Sequence, residues 1–486
     1  MNILFATTEF EGLVKVGGLA DFSSSLPRAL ARRGQQLRVL LPYYGGIRGL
    51  DDAPVVAALP GGCLREWCPG PRGLRVWLVD QPHWRARGAD PYARPGDGAW
   101  PDDAGAFSGF CRIAAWLAGD RLGLGWRADV VHANDWPTAL APVWLMLERV
   151  PAATVFTIHN LACQGVFPAG SGAALGLPSW LFHPEALEYW GQWSFLKGGL
   201  VFADRLTTVS PSYAAEIRTQ AFGEGLDGLL RARAGDLDGI VNGIDEAAWN
   251  PLRDPVLAAP FGPRRLGGRA GCRAALLDEL GFAADDNTAI AAMVGRVQTQ
   301  KGIDELLLAL PRLMELPLAV VVLGSGDARL ERGLSEAARR YPQRFRAALR
   351  YDEGLGRRLF SGADLLLMPS RFEPCGLTQL YAMRYGCIPV ARAVGGLRDT
   401  ITDATSAALD AGEATGILYA DGSPAGLVAA ARRALELRAQ PERWQRVQDT
   451  GMRQRHGWQA GAEAYQRVYQ AALAKKGTVP FFVDVL

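Results

Sequence analysis

Short apolar runs alternate along this chain with longer segments in which apolar residues recur at helical spacing. Residues 288–302 show the pattern well, because an apolar run of Ala, Ile, Met and Val is followed by glycine and two cations. The sequence IDELLLALPRLMEL then carries apolar positions at helical spacing. A short apolar run is typical of a strand buried on both faces, so this unit is predicted to be strand, loop and helix.

The same alternation predicts an α/β protein with two halves. In the first half, strands are predicted over residues 2–7, 36–42, 74–80, 128–134, 154–160, 205–210 and 238–241. In the second half they are predicted over residues 288–294, 318–323, 345–351, 363–368 and 388–391. Residues 250–270 are rich in Pro, Arg and Gly, which is typical of a passage between two domains.

Composition excludes several classes of protein. The 52 basic and 50 acidic residues nearly cancel, so we expect no nucleic acid and no anionic membrane as a partner. No segment reaches the roughly 18 apolar residues of a membrane span. The opening residues 1–7 lack the basic leader and cleavage pattern of a signal peptide and predict a strand. The seven cysteines show no metal-ligand spacing, so we expect reduced thiols in a cytoplasmic protein.

Two candidate anion sites follow from this organisation. In an open parallel sheet, ligands bind beyond the carboxyl ends of the strands, where Arg296 and Lys301 are predicted to lie. A guanidinium beside an ammonium suits a diphosphate, although both could also be ordinary solvated charges. Gly17 and Gly18, next to Lys15, precede a predicted helix whose amides favour an anion. Glycines at such a place also serve simple turns.

The segment from Pro369 to Thr378 is the strongest local signal. It follows the predicted strand 363–368 and precedes the helical run 378–386, so Glu373 is expected at the carboxyl end of a strand. The amides of Gly376, Leu377 and Thr378 are expected at a helix N-terminus. A carboxylate for sugar hydroxyls beside amides for phosphate is what a nucleotide-sugar site requires. A second Gly-Gly pair follows the next strand, at residues 395–396.

Polar clusters end two successive strands of the first half. Residues 132–136 read HANDW and residues 157–160 read TIHN, and both contain groups that can hold hydroxyls. A single histidine at a strand end is more often structural, but two such clusters favour a site. Asp236-Leu237-Asp238 has the spacing of a metal-binding pair; we interpret it as structural because it precedes a strand.

Five motifs, in this order, resemble those of bacterial glycogen synthases and plant starch synthases, which form glycosyltransferase family five. They are KVGGLAD at 15–21, TIHN at 157–160, NGID at 242–245, GRVQTQKG at 295–302 and EPCGLT at 373–378. The resemblance covers about residues 1–470. It implies a GT-B fold, with two Rossmann-like domains facing a central cleft and a C-terminal helix crossing back to the N-terminal domain. The corresponding domains are residues 1–245 on the acceptor side, 246–455 for the nucleotide sugar, and 456–486 for the returning helix and tail.

The resemblance also implies an activity, namely transfer of glucose from ADP-glucose to the non-reducing end of an α-1,4-glucan with retained configuration. It implies no metal and no cofactor, and it leaves the oligomeric state open. The residues that it assigns to catalysis are His159, Arg296, Lys301 and Glu373. Those that it assigns to the donor are Lys15, Gly17, Gly18, Asp21, Asn242, Tyr351, Cys375, Gly376, Leu377 and Thr378. Asp135 and Trp136 would border the acceptor path.

Within that assignment, each group has an expected contact. Arg296 and Lys301 would bind the diphosphate, Glu373 the donor glucose, and His159 the glucose near its reacting carbon. Asn242 would lie at the domain junction, and Tyr351, expected at a strand end, would stack on adenine.

The sequence departs from related patterns at two positions. Val16 stands where the lysine loop more usually has a hydroxyl residue, and Tyr381 stands where related retaining enzymes often have a second glutamate. Three alternatives remain: a GT-B enzyme that uses a UDP-sugar, a phosphorylase with a pyridoxal-bearing lysine, and a catalytically silent glucan-binding protein. The silent binder is disfavoured, because a binder does not need diphosphate cations.

Overall fold

The computed structural model describes residues 1–69, 73–88, 90–94, 98, 100–282 and 287–476. The chain divides into two compact units. Unit 1 comprises Met1–Gly243 and the segment that begins at Trp458, and unit 2 comprises Ile244–Gly457. The domain boundaries predicted from the sequence lie after residues 245 and 455, whereas the units of the structure divide after residues 243 and 457.

Unit 1 is built on an open sheet whose strands run in the order β12-β11-β7-β6-β1-β2-β5-β4-β3 in the described residues. All neighbouring pairs are parallel except β5–β4 and β4–β3. The strands are β1 (Asn2–Ala6), β2 (Gln36–Pro42), β3 (Val55–Leu59), β4 (Gly62–Trp67), β5 (Arg75–Asp80), β6 (Val130–Asn134), β7 (Ala153–Ile158), β11 (Arg205–Thr208) and β12 (Leu237–Gly239).

A second, three-stranded antiparallel sheet lies in the loop region after β7. Its order is β8-β10-β9, with β8 (Val166–Pro168), β9 (Glu188–Tyr189) and β10 (Gln192–Ser194). The sequence analysis did not predict it, because strands of two or three residues are too short to show a period.

Helices cover the large sheet of unit 1. They are α1 (Gly18–Arg32), α2 (Pro82–Arg85), α3 (Asp103–Ala118), α4 (Ala141–Leu147), α5 (Gly172–Leu175), α6 (Phe195–Phe202), α7 (Pro211–Glu216), α8 (Asp227–Ala232) and α18 (Gln459–Lys475). The last of these confirms that the C-terminal helix returns to the first domain. Phe22 of α1 contacts Trp458 and Tyr465 edge-on, with ring centroids 5.5 and 5.8 Å apart.

Unit 2 contains a fully parallel sheet of the order β15-β14-β13-β16-β17-β18 in the described residues. The strands are β13 (Ala289–Val294), β14 (Leu318–Leu323), β15 (Phe345–Ala348), β16 (Leu365–Met368), β17 (Ile388–Arg392) and β18 (Ile417–Tyr419). Its helices are α9 (Gly268–Leu280), α10 (Ile303–Leu313), α11 (Ala328–Arg340), α12 (Glu353–Gly362), α13 (Thr378–Arg384), α14 (Gly395–Thr400), α15 (Ser406–Ala411), α16 (Pro424–Arg438) and α17 (Pro441–Arg453). The α/β class predicted from the sequence is confirmed in both units.

The unit of strand, loop and helix predicted over residues 288–302 is present as β13, a 3-10 turn at Thr299–Lys301, and α10. Five of the six β13 residues are buried, as expected for a central strand covered on both faces. Gly302 joins loop to helix with a φ of 75°, and a side chain there would meet the Pro369 carbonyl at 2.2 Å. Only glycine therefore lets this loop pack against the end of β16.

Several predicted boundaries differ from the structure. The strand predicted over residues 345–351 ends at Ala348, so Tyr351 lies in the loop before α12 rather than at a strand end. The hairpin of β3 and β4 and the edge strand β18 were not predicted. The seven cysteines, all in the described part of the chain, form no disulfide. Among the described helices, none combines the length and apolar composition that crossing a bilayer requires.

Candidate functional site

A recess opens in unit 2 at the carboxyl ends of β13 and β16, which are neighbours in the sheet. The residues that line it are Met293, Val294, Gly295, Arg296, Lys301, Leu367, Met368, Ser370 and Thr378. Two of the cations and one of the loop residues that the sequence singled out therefore share one recess. The carboxyl end of a parallel sheet is where ligands of this fold class bind.

Lys301 and Glu373 form an ion pair beside this recess. The Lys301 ammonium lies 2.7 Å from both carboxylate oxygens of Glu373, and the Ser370 hydroxyl donates to one of them at 2.9 Å. Glu373 is only 4% exposed, so these donors replace the hydrogen bonds that water would otherwise make to its carboxylate. The sequence analysis assigned Lys301 to a diphosphate and Glu373 to a sugar but did not foresee that they contact each other.

Arg296 is different, because its side chain is exposed and no described carboxylate pairs with it. Arg296 follows Gly295, which is the first residue after β13. The backbone carbonyl of Gly295 lies so close to the loop after β14 that a side chain on Gly324 would meet this carbonyl at 1.8 Å. The loop is therefore fixed while the guanidinium stays available. A fixed backbone with an unneutralised cation is suited to binding an anion.

The loop after Glu373 leads into α13. Gly376 has a φ of 70°, and α13 begins at Thr378, so the amides of this turn lie at a helix N-terminus as predicted. Gln379 is fully buried and its amide nitrogen donates to the carbonyls of Cys375 and Gly376 and to Thr400. The sequence analysis missed this glutamine, because only the folded loop shows what its side chain reaches.

The second Gly-Gly pair also belongs to this region. The Gly396 amide donates to the Glu373 carbonyl at 3.0 Å, and a side chain on Gly396 would meet the Cys375 carbonyl at 2.2 Å. The start of α14 therefore packs directly against the loop that carries Glu373 and Cys375. This contact explains the pair as a packing requirement.

Arg371 is a further residue that the sequence analysis missed. Its guanidinium donates to both carboxylate oxygens of Asp304 at 2.8 Å and to the Thr299 carbonyl, and it lies 3.1 Å from Glu305. The hydrogen bonds from Arg371 lower the pKa of Asp304. Arg371 thereby ties the β16 loop, which carries Glu373, to the first turn of α10 and to Thr299 in the 3-10 turn that carries Lys301.

Two tyrosines discussed in the sequence analysis lie outside the recess lining. Tyr351 is 71% exposed and its hydroxyl donates to Glu353 at 3.4 Å. Tyr381, which stands where related enzymes have a glutamate, is buried and stacks on Trp249 with centroids 3.7 Å apart. Trp249 in turn lies under the Arg357 guanidinium. Tyr381 therefore has a packing role here.

In unit 1, the lysine loop is held by a carboxylate that the sequence analysis did not single out. One oxygen of Glu9 accepts hydrogen bonds from the amides of Val16 and Gly17, both at 2.8 Å, and its other oxygen accepts one from Tyr92. Of the amides expected to meet a phosphate, that of Gly17 is thus engaged by Glu9, while Gly18 begins α1. Because Val16 contributes its backbone amide, this contact does not need a hydroxyl side chain at position 16.

Lys15 and Asp21 contact each other within the same loop. The Lys15 ammonium donates to Asp21 at 2.9 Å and lies 3.7 Å from Glu11. Asp21, which the resemblance assigns to the donor, thus holds Lys15 and ties the loop to the start of α1. Asp21 lies in the first turn of α1, where a carboxylate also interacts favourably with the helix dipole.

His159 follows the end of β7, and its ring is oriented by Asn134 at the end of the neighbouring strand β6. The Asn134 amide donates to the Ala6 carbonyl at 3.0 Å, which leaves its oxygen to accept from His159 Nε2 at 3.2 Å. The hydrogen-bond pattern therefore places the proton on Nε2 and leaves Nδ1 as an acceptor. Burial lowers the pKa of His159 to about 3, so the ring is neutral at pH 7.

Asp135 lies between these two strand ends. Its carboxylate is within 3.3 Å of the His159 amide and 3.5 Å of the Asn160 amide, and burial raises the pKa of Asp135 to about 7. Its backbone has a φ of 60°, which non-glycine residues rarely adopt. A strained residue with a strongly shifted pKa, held against a neutral histidine, is typical of a functional site.

Trp136 continues from Asp135 into an aromatic cluster. The centroid of its ring lies 4.9 Å from that of Phe107, 6.0 Å from that of Phe167 and 6.3 Å from that of Phe195.

Asn242 is buried near the end of unit 1, and its side-chain oxygen accepts no hydrogen bond from the described residues. An enclosed amide oxygen without a donor is a site for a ligand hydroxyl or a water molecule.

Other polar groups noted in the sequence have structural partners. His132 is buried and links Tyr469 of α18 at 2.9 Å to Thr157 at 2.6 Å. Asp236 pairs with Arg233 and with Lys475 of α18, both at 2.7 Å, and Asp238 pairs with Arg205. The interpretation of Asp236 and Asp238 as structural is consistent with these ion pairs.

Two groups of residues result. Unit 2 gathers Arg296, Lys301, Glu373 and the turn before α13 around one recess. Unit 1 gathers His159, Asp135 and Trp136 at the ends of β6 and β7. The first group can stabilise negative charge on a diphosphate and hold hydroxyls, and the second offers a neutral imidazole and a carboxyl of shifted pKa.

Comparison with known proteins adds independent information. Residues 2–232 match the family described as the starch synthase catalytic domain, and residues 281–448 match glycosyl transferases group 1. Glycogen synthase 1 of Methylococcus capsulatus is 48% identical, with 98% of this chain and 97% of that protein covered. The glycogen synthase of Thioalkalivibrio sulfidiphilus is 46% identical, with 97% and 99% covered.

The fold has a close match among solved structures. The catalytic domain of starch synthase IV from Arabidopsis thaliana, bound to ADP and acarbose, superposes with a TM-score of 0.87 at 30% identity, with 97% of this chain and 99% of that chain covered. A sucrose-phosphate synthase from Thermosynechococcus elongatus has a TM-score of 0.62 at 18% identity, which is a likeness of fold alone.

Proposed function

This chain belongs to the family of glycogen and starch synthases, and from that premise we propose that it transfers glucose from ADP-glucose to the non-reducing end of an α-1,4-glucan. The transfer retains the configuration of the anomeric carbon. Glycogen is the proposed acceptor, because the bacterial relatives that match over nearly their full length are glycogen synthases. We place the enzyme in the cytoplasm, where its seven thiols would stay reduced.

One observation carries the proposal from the side of geometry. Arg296, Lys301 and Glu373 gather at the carboxyl ends of two adjacent strands, beside a helix N-terminus. Two cations and a row of backbone amides match the charge of a nucleoside diphosphate. A buried carboxylate beside them matches the hydroxyl-rich sugar that a diphosphate sugar carries.

The chemistry then follows from where charge develops. Breaking the bond between glucose and ADP leaves negative charge on the departing phosphate and positive charge on the sugar. Arg296, Lys301 and the amides before α13 would stabilise the departing phosphate, which is the kind of electrostatic term that usually dominates catalysis. Glu373, held by Lys301 and Ser370, would accept hydrogen bonds from glucose hydroxyls.

His159 would act as a neutral acceptor. Since its Nε2 proton is held by Asn134 and its pKa is about 3, the Nδ1 lone pair is available at pH 7 for a hydroxyl of the donor glucose. Asp135 would keep the backbone of His159 in place. We propose attack of the acceptor hydroxyl from the same face as the leaving group, with the departing phosphate taking the acceptor proton. Glu373 is not assigned the role of nucleophile, because Lys301 and Ser370 engage it.

A GT-B enzyme that uses a UDP-sugar is the main alternative, since it would need the same cations. Measuring nucleotide release from ADP-glucose and from UDP-glucose in the presence of glycogen distinguishes these two hypotheses. The proposal expects ADP release that depends on glycogen, and little UDP release at equal donor concentration. Preferential release of UDP would overturn the donor assignment. The absence of release from either donor would overturn the transferase assignment.

A further inference from the structure

Phe22 of α1 packs directly against the imidazole of His159. The two rings meet edge-on, with their centroids 4.5 Å apart and an interplanar angle of 79°. Aromatic rings attract each other at about this separation and in this arrangement. Phe22 itself is only 1% exposed. A buried benzene ring therefore forms part of the wall against which the imidazole lies.

Four more rings surround Phe22. They belong to Phe5 of β1, His132 of β6, and Trp458 and Tyr465 at the start and in the middle of α18. All four residues are at most 6% exposed. Because protein cores are packed as densely as organic crystals, a ring with such neighbours has little freedom to move. Phe22 is therefore a rigid support for whatever packs on it.

Two contacts of different kinds restrain the ring of His159. Its Nε2 donates to the Asn134 oxygen at 3.2 Å, which holds one atom of the ring. The edge-on contact with Phe22 holds the plane of the ring. Together they fix the direction in which the Nδ1 lone pair points. A benzene ring offers no hydrogen-bonding group of its own, so it restrains the imidazole without occupying Nδ1.

The start of α1 also holds the lysine loop. Asp21, the residue before Phe22, accepts the hydrogen bond from Lys15 at 2.9 Å. Successive residues of a helix project about 100° apart, so these two side chains can contact different neighbours. One turn of α1 thus holds Lys15 through a carboxylate and His159 through an aromatic ring.

We propose that Phe22 is a positioning residue, which holds the imidazole of His159 so that its Nδ1 can meet a hydroxyl of the donor glucose. Phe22 touches no substrate in this account and acts only through His159. The inference rests on the proposed function, which assigns His159 to the donor glucose. A displaced reacting or binding group can lower turnover by about 10²-fold, so the orientation of this ring matters for the rate.

The test removes the ring of Phe22 and keeps an apolar side chain. Phe22→Leu opens space beside the imidazole. Phe22→Met is measured as well, because its longer, flexible side chain fills more of the core and keeps the test applicable if the leucine variant is unstable. Phe110→Leu is the matched control, since Phe110 is also 1% exposed but lies on α3, where its ring contacts Trp84. Circular dichroism verifies that each variant is folded.

We expect turnover with ADP-glucose and glycogen to fall by about tenfold or more in both Phe22 variants. The affinity for ADP, measured by calorimetry, should change by less than about twofold, and Phe110→Leu should keep both properties. Phe22→Leu is then combined with His159→Ala. In that background it should lower the residual turnover by less than about twofold, because no imidazole is left for Phe22 to hold.

Nuclear magnetic resonance of the full chain, labelled with 15N in histidine, tests the positioning without any reaction. The signals of His159 are those that disappear in His159→Ala, out of five histidines. At pH 7 the unchanged chain should show neutral His159 with its proton on Nε2 alone. In Phe22→Leu the signals should show a mixture of both tautomers, because the ring is no longer held against Asn134. Phe110→Leu should show the spectrum of the unchanged chain.

Four results would overturn the inference. They are normal turnover in both Phe22 variants, an equal loss in Phe110→Leu, unaltered His159 signals in Phe22→Leu, and an undiminished effect of Phe22→Leu in the His159→Ala background. The last result would show that Phe22 supports the fold and does not act through His159. The spectra separate the two claims, since they involve no donor. A chain that releases no ADP from ADP-glucose, but whose His159 signals change in Phe22→Leu, would refute the proposed function and leave the positioning of His159 by Phe22 standing.

Discussion

The ammonium of Lys301 lies 2.7 Å from both carboxylate oxygens of Glu373. The pair joins the loop after β13 to the loop after β16, and the Glu373 side chain is only 5% exposed. Each residue therefore has two roles, one in holding the loops together and one in the proposed contact with the donor. The experiments on this pair must separate stability from catalysis.

Removal of Lys301 should affect both properties. Lys301→Ala leaves a buried carboxylate with Ser370 as its remaining side-chain donor, so the free energy of unfolding should fall by about 1–3 kcal/mol. Turnover should fall by about 10²-fold or more, because a cation at the departing phosphate is lost. Urea denaturation and initial rates measure the two effects. Adding Glu373→Gln to this variant should restore part of the stability and none of the turnover. A variant with normal turnover would refute the role of Lys301 in the reaction.

Arg296 should show the catalytic effect alone. Its guanidinium is exposed and has no carboxylate partner among the described residues, so Arg296→Ala should change the free energy of unfolding by less than about 0.5 kcal/mol. Turnover should nevertheless fall by about 10²-fold. Arg332→Ala is a suitable control, because Arg332 is an exposed arginine on α11 of the same unit. If both variants keep normal turnover, Arg296 does not bind the diphosphate.

Asp135 should make the stability of the protein depend on pH. Its pKa is about 7 in the folded chain, against about 3.9 for an unfolded aspartate, so the folded state binds more protons between these values. Stability from this group is therefore fully present below about pH 4 and is lost as the pH rises through 7. Asparagine carries no charge and tolerates a positive φ, so Asp135→Asn should have the higher Tm at pH 8. The difference in Tm should shrink toward pH 5, and a difference that is constant with pH would contradict the shifted pKa.

The binding of ADP should depend on unit 2 residues rather than on His159. His159→Ala should keep the ADP affinity within a few-fold, a change below about 1.4 kcal/mol, while transfer falls steeply. Lys301→Ala should weaken ADP binding itself. Calorimetric titration of ADP into both variants measures this. An equally severe loss of ADP affinity in His159→Ala would show that the histidine contacts the nucleotide.

The features that the sequence predicted correctly depend on local pattern. Consecutive residues are enough to show the buried runs of β13 and β14 and the spacing of apolar residues in α10. The alternation of strands with helices, and the position of Lys301 after a strand, therefore follow from the sequence. The turn from Glu373 to Thr378 at the start of α13 was predicted for the same reason.

The features that the sequence analysis missed depend on contacts between distant segments. Glu9 reaches the amides of residues 16 and 17, and Arg371 reaches Asp304 across 67 positions of the chain. Neither residue belongs to a pattern with a period. The sequence predicts Tyr351 at a strand end because Leu349 prolongs the apolar run of β15, but the strand ends at Ala348, three residues earlier.

The central claim is that glucose from ADP-glucose is added, in α-1,4 linkage, to the non-reducing ends of a glucan. It is tested most directly by incubating the full chain with glycogen and ADP-glucose labelled in its glucose, and then digesting the polymer with β-amylase. Because β-amylase cleaves maltose from the non-reducing ends of α-1,4 chains, the account predicts label in the polymer and its release as maltose. Arg296→Ala should incorporate about 10²-fold less in the same time. Label that appears only as free glucose, or that stays in the polymer after digestion, would contradict the account.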